Sequence, residues 1–533
     1  MISILYLDSR ELPPPDKTLD DDLRLSEIVT GFCPNTERQR VFLSVLTNLS
    51  TDRRELELRR GILADFISNP QLATGLRREL DELTRLSEEA NRDRARSASM
   101  ARGTYSEASA ENQKHALIFL AVNVEKSLEV VVRIAELLRR AHPTSPRLCE
   151  LLAHAENYTA HSHELCDICG RITSLLSNGG NMLLRLNFDR GGRINGCELA
   201  SGRVATPPEE PKPTLSIMKL FSKLPKNGNA DSSAVSVAKP EHRVSLPDPG
   251  NRLRNRFSFE AFVTLSNILS GYVRELIDGF KRLSDELVFY ELALDYINLA
   301  KEKELPLCYP EIIEPDSDSP ERIEITRLYD LLLATRALAA KDIVPNDVSF
   351  PRRGNSGVNS NVGDDDDHTS SDCVDNSTVP GILITGENNS GKTVYLRSVG
   401  MAQLLFQAGL PVPCESAKMR ISSAVYTCYA AAEKEFVSGN DAGRFEQEVR
   451  DFSRLAEKIQ PNSLLLLNEV FQTTAYSEGA EGLYHILNYF TRHGVVFIAV
   501  THLKELVPLY GDRIRHLVTA PGYRVEVATE TPS

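Results

Sequence analysis

Residues 381–393 read Gly-Ile-Leu-Ile-Thr-Gly-Glu-Asn-Asn-Ser-Gly-Lys-Thr. The first five form an apolar run that predicts a buried strand, and residues 394–406 carry apolar side chains at helical spacing. A strand, a glycine-containing loop and a helix in this order are typical of a P-loop, where backbone N–H groups and the helix N-terminus surround phosphates. The alternative is a chance match in a loop of small polar residues, and the flanking strand and helix favour the P-loop.

The loop supplies candidate ligands for a nucleotide. We expect Lys392 to reach the β- and γ-phosphates and the Thr393 hydroxyl to bind Mg²⁺. The nucleotide-binding residues predicted in this stretch are Gly386, Asn388, Asn389, Ser390, Gly391, Lys392 and Thr393.

Strands and helices alternate from residue 381 onward, which predicts an α/β domain with its ligand at the carboxyl ends of the strands. Apolar runs predict the strands, and spacings of three and four residues predict the helices. The strands are expected at residues 381–385, 423–429, 463–467, 494–501, 514–520 and 523–528, and the helices at 393–408, 445–459, 477–491 and 503–509.

Two polar residues at strand ends complete the set of candidate catalytic residues. Asn468 and then Glu469 directly follow the apolar strand predicted at residues 463–467. His502 follows Thr501 at the end of the apolar run at residues 494–500. Because ATP hydrolysis needs an oriented water and groups near the γ-phosphate, we assign these roles to Glu469 and His502, together with Lys392. The alternatives are a capping role for Glu469 and a structural role for His502 at the end of its strand.

Charge and cysteine content limit the class of protein. The 533 residues carry a formal net charge of −13, so contact with nucleic acid would require a local patch or an enclosed channel. The nine cysteines are scattered and odd in number, which indicates a reducing compartment. No signal-peptide pattern and no run of 18 apolar residues occurs. We therefore expect a cytoplasmic protein, with a nucleoid-associated or nuclear location as alternatives. We expect no membrane partner.

The region before residue 343 is predicted to be mainly helical. Helical spacing over residues 36–177 predicts a helical core domain at residues 1–200. Residues 201–252 are rich in proline, serine, lysine and glycine and predict a flexible linker or loop. Long lever helices are expected within residues 253–342, the last of them at residues 320–341.

The α/β domain is expected to occupy residues 343–533 with a polar insertion at residues 352–378. The insertion contains four consecutive aspartates, for which a solvated loop is preferred over a metal site.

Two other features of the helical region each allow two interpretations. The arginines of this region are interleaved with glutamates at helical spacing. This pattern favours solvated helix faces over a nucleic-acid-binding patch. The arginines concerned are Arg38, Arg40, Arg53, Arg54, Arg59, Arg60, Arg133, Arg139 and Arg140.

Cys166 and Cys169, with His163 before them, are residue types that bind zinc. These three residues lie on one stripe of a predicted helix and no second pair of ligands is present, which favours helix packing over a zinc site.

The segment from residue 344 to about residue 510 resembles the ATPase domain of the MutS family of DNA mismatch repair proteins, which are ABC-type ATPases. Residues 385–397 match the family's Thr-Gly-x-Asn-x-x-Gly-Lys-Ser/Thr loop and the Tyr-Leu-Arg that follows, and Thr501-His502 matches its Thr-His pair. Residues 344–347 match the Val-Pro-Asn-Asp element of the adenine pocket. The resemblance therefore implies that Val344 and Asn346 also bind the nucleotide.

This sequence departs from the family pattern at two functional positions. Asn468 stands where the family has an aspartate that holds Mg²⁺ through its water shell. The resemblance thus gives Thr393 and Asn468 as the metal residues and implies slow hydrolysis. The signature segment that reaches the γ-phosphate of the partner subunit is represented only by Gly443-Arg444-Phe445-Glu446, in which Gly443 and Arg444 are the predicted signature residues.

The resemblance also implies a shortened form that lacks two family regions, the mismatch-reading N-terminal domain and the C-terminal helix-turn-helix. Phe289-Tyr290-Glu291 fits the aromatic wedge pattern of the missing domain, but it lies in a predicted lever helix, so we interpret it as a coincidence.

We therefore expect a multidomain protein with an all-α core and lever region followed by an α/β P-loop (ABC-type) ATPase domain. The resemblance implies a Mg²⁺-dependent ATPase that uses ATP, forms a homodimer and acts as a clamp on duplex or branched DNA, without an aromatic wedge. The alternative is a nucleotide-gated protein-interaction module with weak or no hydrolysis, suggested by Asn468, the altered signature and the net charge of −13.

Overall fold

The computed structural model describes residues 2–8, 10–100, 107–178, 180–188, 194–204, 252–314, 321–336, 339–351, 381–430, 441–471 and 476–528. The chain forms mixed helix and sheet and divides into two compact units. The first consists of Met1–Ile2 and Asn69–Ser284, and the second of Ser3–Ser68 and Asp285–Ser533. Residues 3–68, which we predicted within the helical core domain, therefore pack with the C-terminal half of the chain.

Long helices form most of the first unit. Helix α5 packs against α6, α6 packs against α7, and two antiparallel strands, β1 and β2, contact α7. The elements are α5 (Pro70–Met100), α6 (Glu107–Ala141), α7 (Pro146–Asn178), β1 (Gly180–Phe188) and β2 (Ile194–Val204). Strand β2 extends four residues into the predicted linker, and residues 205–251 of that linker lie outside the described residues.

The first unit buries the apolar stripe of each long helix. Leu76, Leu80 and Leu83 of α5 are at most 2% exposed, and their spacing of three and four residues places them on one face. Cys169 of α7 is also buried, and this burial raises the pKa of its thiol to about 12. Among the described residues, which do not include the side chain of His163, no group of three or more His, Cys, Asp or Glu side chains is arranged to hold a metal ion.

The second unit contains the remaining helices. It begins with four helices, α1 (Lys17–Leu23), α2 (Leu25–Thr30), α3 (Thr36–Thr47) and α4 (Arg53–Ser68). Helix α8 (Arg252–Glu302) starts in the first unit and ends in the second. The other helices are α9 (Leu331–Thr335), α10 (Lys392–Gln407), α11 (Asp441–Lys458), α12 (Tyr476–Arg492) and α13 (Leu506–Tyr510).

Two sheets form the centre of the second unit. A six-stranded sheet has the order β12-β11-β6-β10-β9-β8 and is parallel except for β12, and a four-stranded sheet has the order β3-β7-β4-β5. The strands are β3 (Glu311–Ile312), β4 (Glu321–Leu328), β5 (Asn346–Pro351), β6 (Gly381–Thr385), β7 (Ser416–Met419), β8 (Val425–Tyr429), β9 (Leu464–Asn468), β10 (Val496–Val500), β11 (Arg515–Ala520) and β12 (Arg524–Val527).

The larger sheet agrees with the strands predicted from apolar runs, and their ends differ by at most two residues. The leucines at residues 464–467 of β9 are at most 1% exposed. Strands covered on both faces are apolar at consecutive positions, which is why this run was recognisable as a central strand. The predicted polar insertion, residues 352–378, lies outside the described residues.

The helix predicted at residues 320–341 is wrong. Strand β4 occupies the first part of this stretch, and the short helix α9 follows it. Ile323 and Ile325 are buried while Glu324 between them is exposed, which is the alternation of a strand with one buried face. Pairing of β4 with β5 and β7 satisfies its backbone hydrogen bonds.

Two absences hold for the part of the chain that the structure describes. None of its helices is long and apolar enough to cross a membrane. The Phe289 and Tyr290 rings of α8 are 0% exposed, so this aromatic pair is part of the core of the second unit and is not a surface wedge.

Candidate functional site

The glycine loop, residues 386–391, connects β6 to α10 and has a backbone that favours glycine at two positions. Gly386 has φ of +151° and Gly391 has φ of +97°, values that other residues rarely adopt. A Cβ atom at Gly386 would lie 1.8 Å from Thr519 Oγ1 of β11. Gly391 caps α10 without a side-chain hydrogen bond, so the first N–H groups of this 16-residue helix have no side-chain acceptor from the cap.

Lys392 points its ammonium group back into the glycine loop. Its Nζ atom donates to the carbonyl oxygen of Gly386 at 3.0 Å and to that of Glu387 at 2.7 Å. Burial lowers the pKa of Lys392, and the nearby Glu469 carboxylate partly opposes this effect. Ser390 Oγ donates to the Glu387 carbonyl and accepts from Thr519 Oγ1, which connects the loop to β11. The loop thus holds a cation beside the helix N-terminus, which suits a phosphate group.

Thr393 and Asn468 meet at the carboxyl end of β9. The Thr393 hydroxyl donates to Asn468 Oδ1 at 3.1 Å. Hydroxyl and amide oxygens are among the ligands that Mg²⁺ accepts, although neither group carries a negative charge. The two residues that the sequence predicted for the metal are therefore adjacent, and they fit a weakly held cation.

Glu469 and His502 lie beside each other because their strands are neighbours. Strands β9 and β10 run parallel with Asn468 opposite Val500, and the Glu469 amide donates to the Val500 carbonyl at 2.8 Å. His502 Nε2 lies 2.8 Å from Glu469 Oε1. The two side chains are 30% and 28% exposed, so both are accessible to a ligand.

A cavity of about 1110 Å³ brings most of the predicted site residues together. Gly386 and Asn468 do not line it, but they contact the lining residues Lys392 and Thr393. Gly443 and Arg444 lie in the first turn of α11, and their side chains are outside the described residues. The predicted residues that line the cavity are Val344, Asn346, Asn388, Asn389, Ser390, Gly391, Lys392, Thr393, Glu469 and His502.

The sequence did not predict the part that the hairpin of β11 and β12 has in this cavity. Tyr523, in the turn of the hairpin, lines the cavity, and its ring is 3.4 Å from the position of a Cβ atom at Gly391. Asn346 holds this hairpin, because its Nδ2 donates to the Tyr523 carbonyl at 3.2 Å and its Oδ1 accepts from the Val525 amide at 2.8 Å. The sequence signal for this hairpin was the Pro521-Gly522 pair between the strands predicted at residues 514–520 and 523–528, because proline and glycine favour a tight turn.

A buried ion pair connects α10 to the wall of the cavity. Arg397 Nε and Nη2 donate to the two carboxylate oxygens of Asp330 at 2.9 and 3.0 Å. Asp330 also accepts from the Leu333 amide at the start of α9 and lines the cavity. Because both groups of this bidentate pair are satisfied, it sets the position of α9 relative to the glycine loop.

Most of the arginines considered as a nucleic-acid patch are engaged with carboxylates. Arg59 is only 1% exposed and donates from Nε to the Leu5 carbonyl at 2.9 Å. The paired arginines agree with the interpretation as solvated helix faces, whereas the buried Arg59 corrects it, because this side chain is part of the core. The ion pairs are Arg38–Glu291, Arg53–Glu57, Arg53–Glu314, Arg54–Asp52, Arg133–Glu79, Arg139–Glu156 and Arg140–Glu136.

Comparison with known proteins gives one family match and several curated relatives. Residues 382–520 match the family described as MutS domain V. The DNA mismatch repair protein MutS of Streptococcus pneumoniae serotype 19F (strain G54) is 35% identical over 148 residues, and the DNA mismatch repair protein HexA of serotype 4 (strain ATCC BAA-334 / TIGR4) is 34% identical over 148 residues. In both cases the aligned stretch covers 28% of this chain and 16% of the relative.

Proposed function

We propose that this chain, whose residues 382–520 match MutS domain V, is a MutS-type ATPase that binds ATP with Mg²⁺ in the cavity beside the glycine loop and hydrolyses it slowly. The observation that carries the proposal is the convergence of Lys392, Thr393, Glu469 and His502 on one cavity. In this proposal the α/β part is a P-loop ATPase domain of ABC type, with helical core and lever regions before it.

Each residue has a role that follows from its contacts. Lys392 and the N-terminus of α10 attract the phosphates, and Thr393 with Asn468 would hold Mg²⁺, which when bound neutralises phosphate charge. The Glu469 carboxylate accepts a hydrogen bond from the attacking water, and His502 Nε2 keeps this carboxylate at the cavity. Asn468 provides an amide in place of a charged ligand, which weakens the hold on the metal and slows hydrolysis.

The proposal extends to a homodimer that acts as a clamp on duplex or branched DNA. The matched relatives are named as DNA mismatch repair proteins, which supports DNA as a partner. Gly443 and Arg444 would contact the nucleotide of the second subunit, so that ATP binding closes the dimer. The buried Phe289 and Tyr290 support a clamp that does not insert an aromatic wedge.

A second function is favoured by the charge of the molecule and by Asn468. The net charge is −13, and most of the candidate DNA-binding arginines are paired with carboxylates. A nucleotide-gated protein-interaction module with weak or no hydrolysis would need neither a basic surface nor a strong metal site. ATP would then control the shape of a surface that binds another protein.

Replacement of the lysine tests the site. We expect Lys392→Ala to reduce ATP hydrolysis about 10²-fold or more, because the phosphates lose a positioned cation. Steady-state ATPase assays and titration with a fluorescent ATP analogue measure hydrolysis and binding separately. Lys418→Ala is the matched control, since Lys418 is an exposed lysine of β7 whose side chain forms a surface ion pair with Glu311 at 4.0 Å.

The wild-type result separates the two functions. ATP binding without detectable hydrolysis under any condition selects the interaction module, and absence of ATP binding rejects both functions. Equal loss in Lys392→Ala and Lys418→Ala would contradict the assignment of Lys392.

A further inference from the structure

Helix α11 contacts the chain just after strand β9 and Glu469. Glu448 Oε2 of α11 accepts a hydrogen bond from the Phe471 amide at 3.0 Å. One turn further along the helix, the Phe452 ring stacks on the Phe471 ring with centroids 5.4 Å apart and planes at 29°. The same helix therefore contacts both the backbone and the side chain of Phe471.

The backbone at residues 469–471 has an unusual conformation that its surroundings must maintain. Glu469 has φ of +56° and Phe471 has φ of +61°, in the left-handed region that residues other than glycine rarely adopt. Such conformations persist where neighbouring structure holds them. The Glu469 amide bonds to the Val500 carbonyl at one end of this turn, and the Phe471 amide bonds to Glu448 at the other.

The residues of this turn differ in burial. Val470 and Phe471 are 4% and 1% exposed, so they anchor the turn in the core. The Glu469 side chain is 28% exposed and reaches the cavity, where its carboxylate lies 2.8 Å from His502 Nε2. The direction of the Glu469 carboxylate therefore depends on the hydrogen bonds that the Glu469 and Phe471 amides make.

We propose that Glu448 is a positioning residue of the ATPase site. Its carboxylate fixes the Phe471 amide, and the turn that is fixed in this way presents Glu469 to the attacking water and to His502. Glu448 itself touches neither nucleotide nor water in this role. The consequence for turnover rests on the proposed function, whereas the effect on the contact between Glu469 and His502 does not.

Substitution of Glu448 tests this role through two measurements. We expect Glu448→Ala to lower kcat about 10- to 10²-fold with the affinity for ATP within about twofold of wild type, because misplacement of a catalytic group slows chemistry more than binding. We also expect the ¹⁵N resonances of the His502 ring to shift in histidine-labelled protein, since the neighbouring carboxylate moves.

Conservative variants separate positioning from general stability. Glu448→Gln keeps an oxygen that can accept from the Phe471 amide, so we expect it to restore most of the rate and the wild-type His502 resonances. Glu448→Asp is one methylene too short and should lose rate while the protein stays folded. Glu446→Ala is the matched control, because Glu446 lies on the same helix, is exposed and forms a surface ion pair with Arg450.

The outcomes distinguish this inference from the proposed function. Wild-type kcat and unchanged His502 resonances in both Glu448→Ala and Glu448→Asp would overturn the positioning role and leave the ATPase assignment intact. A wild-type protein that binds but does not hydrolyse ATP would reject the ATPase, and the His502 resonances would still decide the positioning role.

Discussion

At the scale of single residues, the pair of Thr393 and Asn468 determines how the site would treat a metal ion. Thr393 donates to Asn468 Oδ1, so the amide presents an oxygen at the place where a carboxylate would add a negative charge. Hard divalent cations gain more from a charged oxygen than from a neutral one. The slow turnover that we propose follows from this one side chain.

Restoration of the charge is a direct test at this scale. We expect Asn468→Asp to lower the Mg²⁺ concentration for half-maximal ATPase activity about tenfold and to raise the maximal rate. The reason is that the side chain at residue 468 would then offer the metal a negatively charged oxygen. A Mg²⁺ titration of the hydrolysis rate measures both effects. Gln460→Glu is the control, since it adds the same charge at an exposed position after α11. An unchanged Mg²⁺ requirement in Asn468→Asp would refute the metal role of this position.

At the scale of elements, the glycine loop is packed directly against strand β11. Thr519 Oγ1 donates to Ser390 Oγ and occupies the space that a Cβ atom at Gly386 would need. The shape of the loop therefore depends on a neighbouring strand as well as on its own glycines. Strand β11 also pairs with β6, which fixes the distance between Thr519 and the loop.

This packing predicts a strong effect of one methyl group. We expect Gly386→Ala to destabilise the second unit by about 1–3 kcal/mol through overpacking and to weaken ATP binding, because the loop must move away from Thr519. Urea unfolding and titration with an ATP analogue measure the two effects. The control is Gly482→Ala in α12, where no atom lies within 4 Å of the new Cβ atom, so stability should be equal or higher. Wild-type stability and binding in Gly386→Ala would contradict the packing argument.

At the scale of the whole molecule, the distribution of charge decides between the two proposed functions. The formal net charge is −13, and ion pairs occupy most of the candidate DNA-binding arginines. Binding to DNA would therefore need a local basic patch or an enclosed channel, such as one formed when two ATP-bound chains associate. A protein partner would need no such surface.

DNA binding under ATP is the test at this scale. We expect Glu469→Gln, which keeps ATP bound, to sediment at twice the 59.3 kDa mass of one chain and to bind duplex or branched DNA with an affinity that falls as salt rises. Sedimentation velocity and fluorescence anisotropy over a salt series measure these properties. Lys392→Ala, which cannot hold the nucleotide, should remain monomeric and bind weakly. No DNA binding by the ATP-bound form at low salt would select the protein-interaction module.

The sequence by itself determined the features that depend on neighbouring residues. The glycine loop was recognisable because its two glycines and Lys392 act through backbone geometry within eight residues. The central strands β6, β9 and β10 were predicted to within two residues because a strand buried on both faces needs consecutive apolar side chains. Residues 320–341 were assigned wrongly because short apolar spacings fit both a helix and a strand, and pairing with β5 and β7 decided between them.

Only the tertiary structure decided which distant groups meet. Glu469 and His502 are 33 residues apart, and they touch because β9 and β10 are neighbours in the sheet order. Asn346, which was predicted to bind the nucleotide, lines the cavity, and its amide also holds the hairpin around Tyr523, 177 residues away. Glu448 reaches the Phe471 amide across 23 residues through the packing of α11. Sequence periodicity records which face of an element is buried, whereas strand order and packing determine which element covers that face.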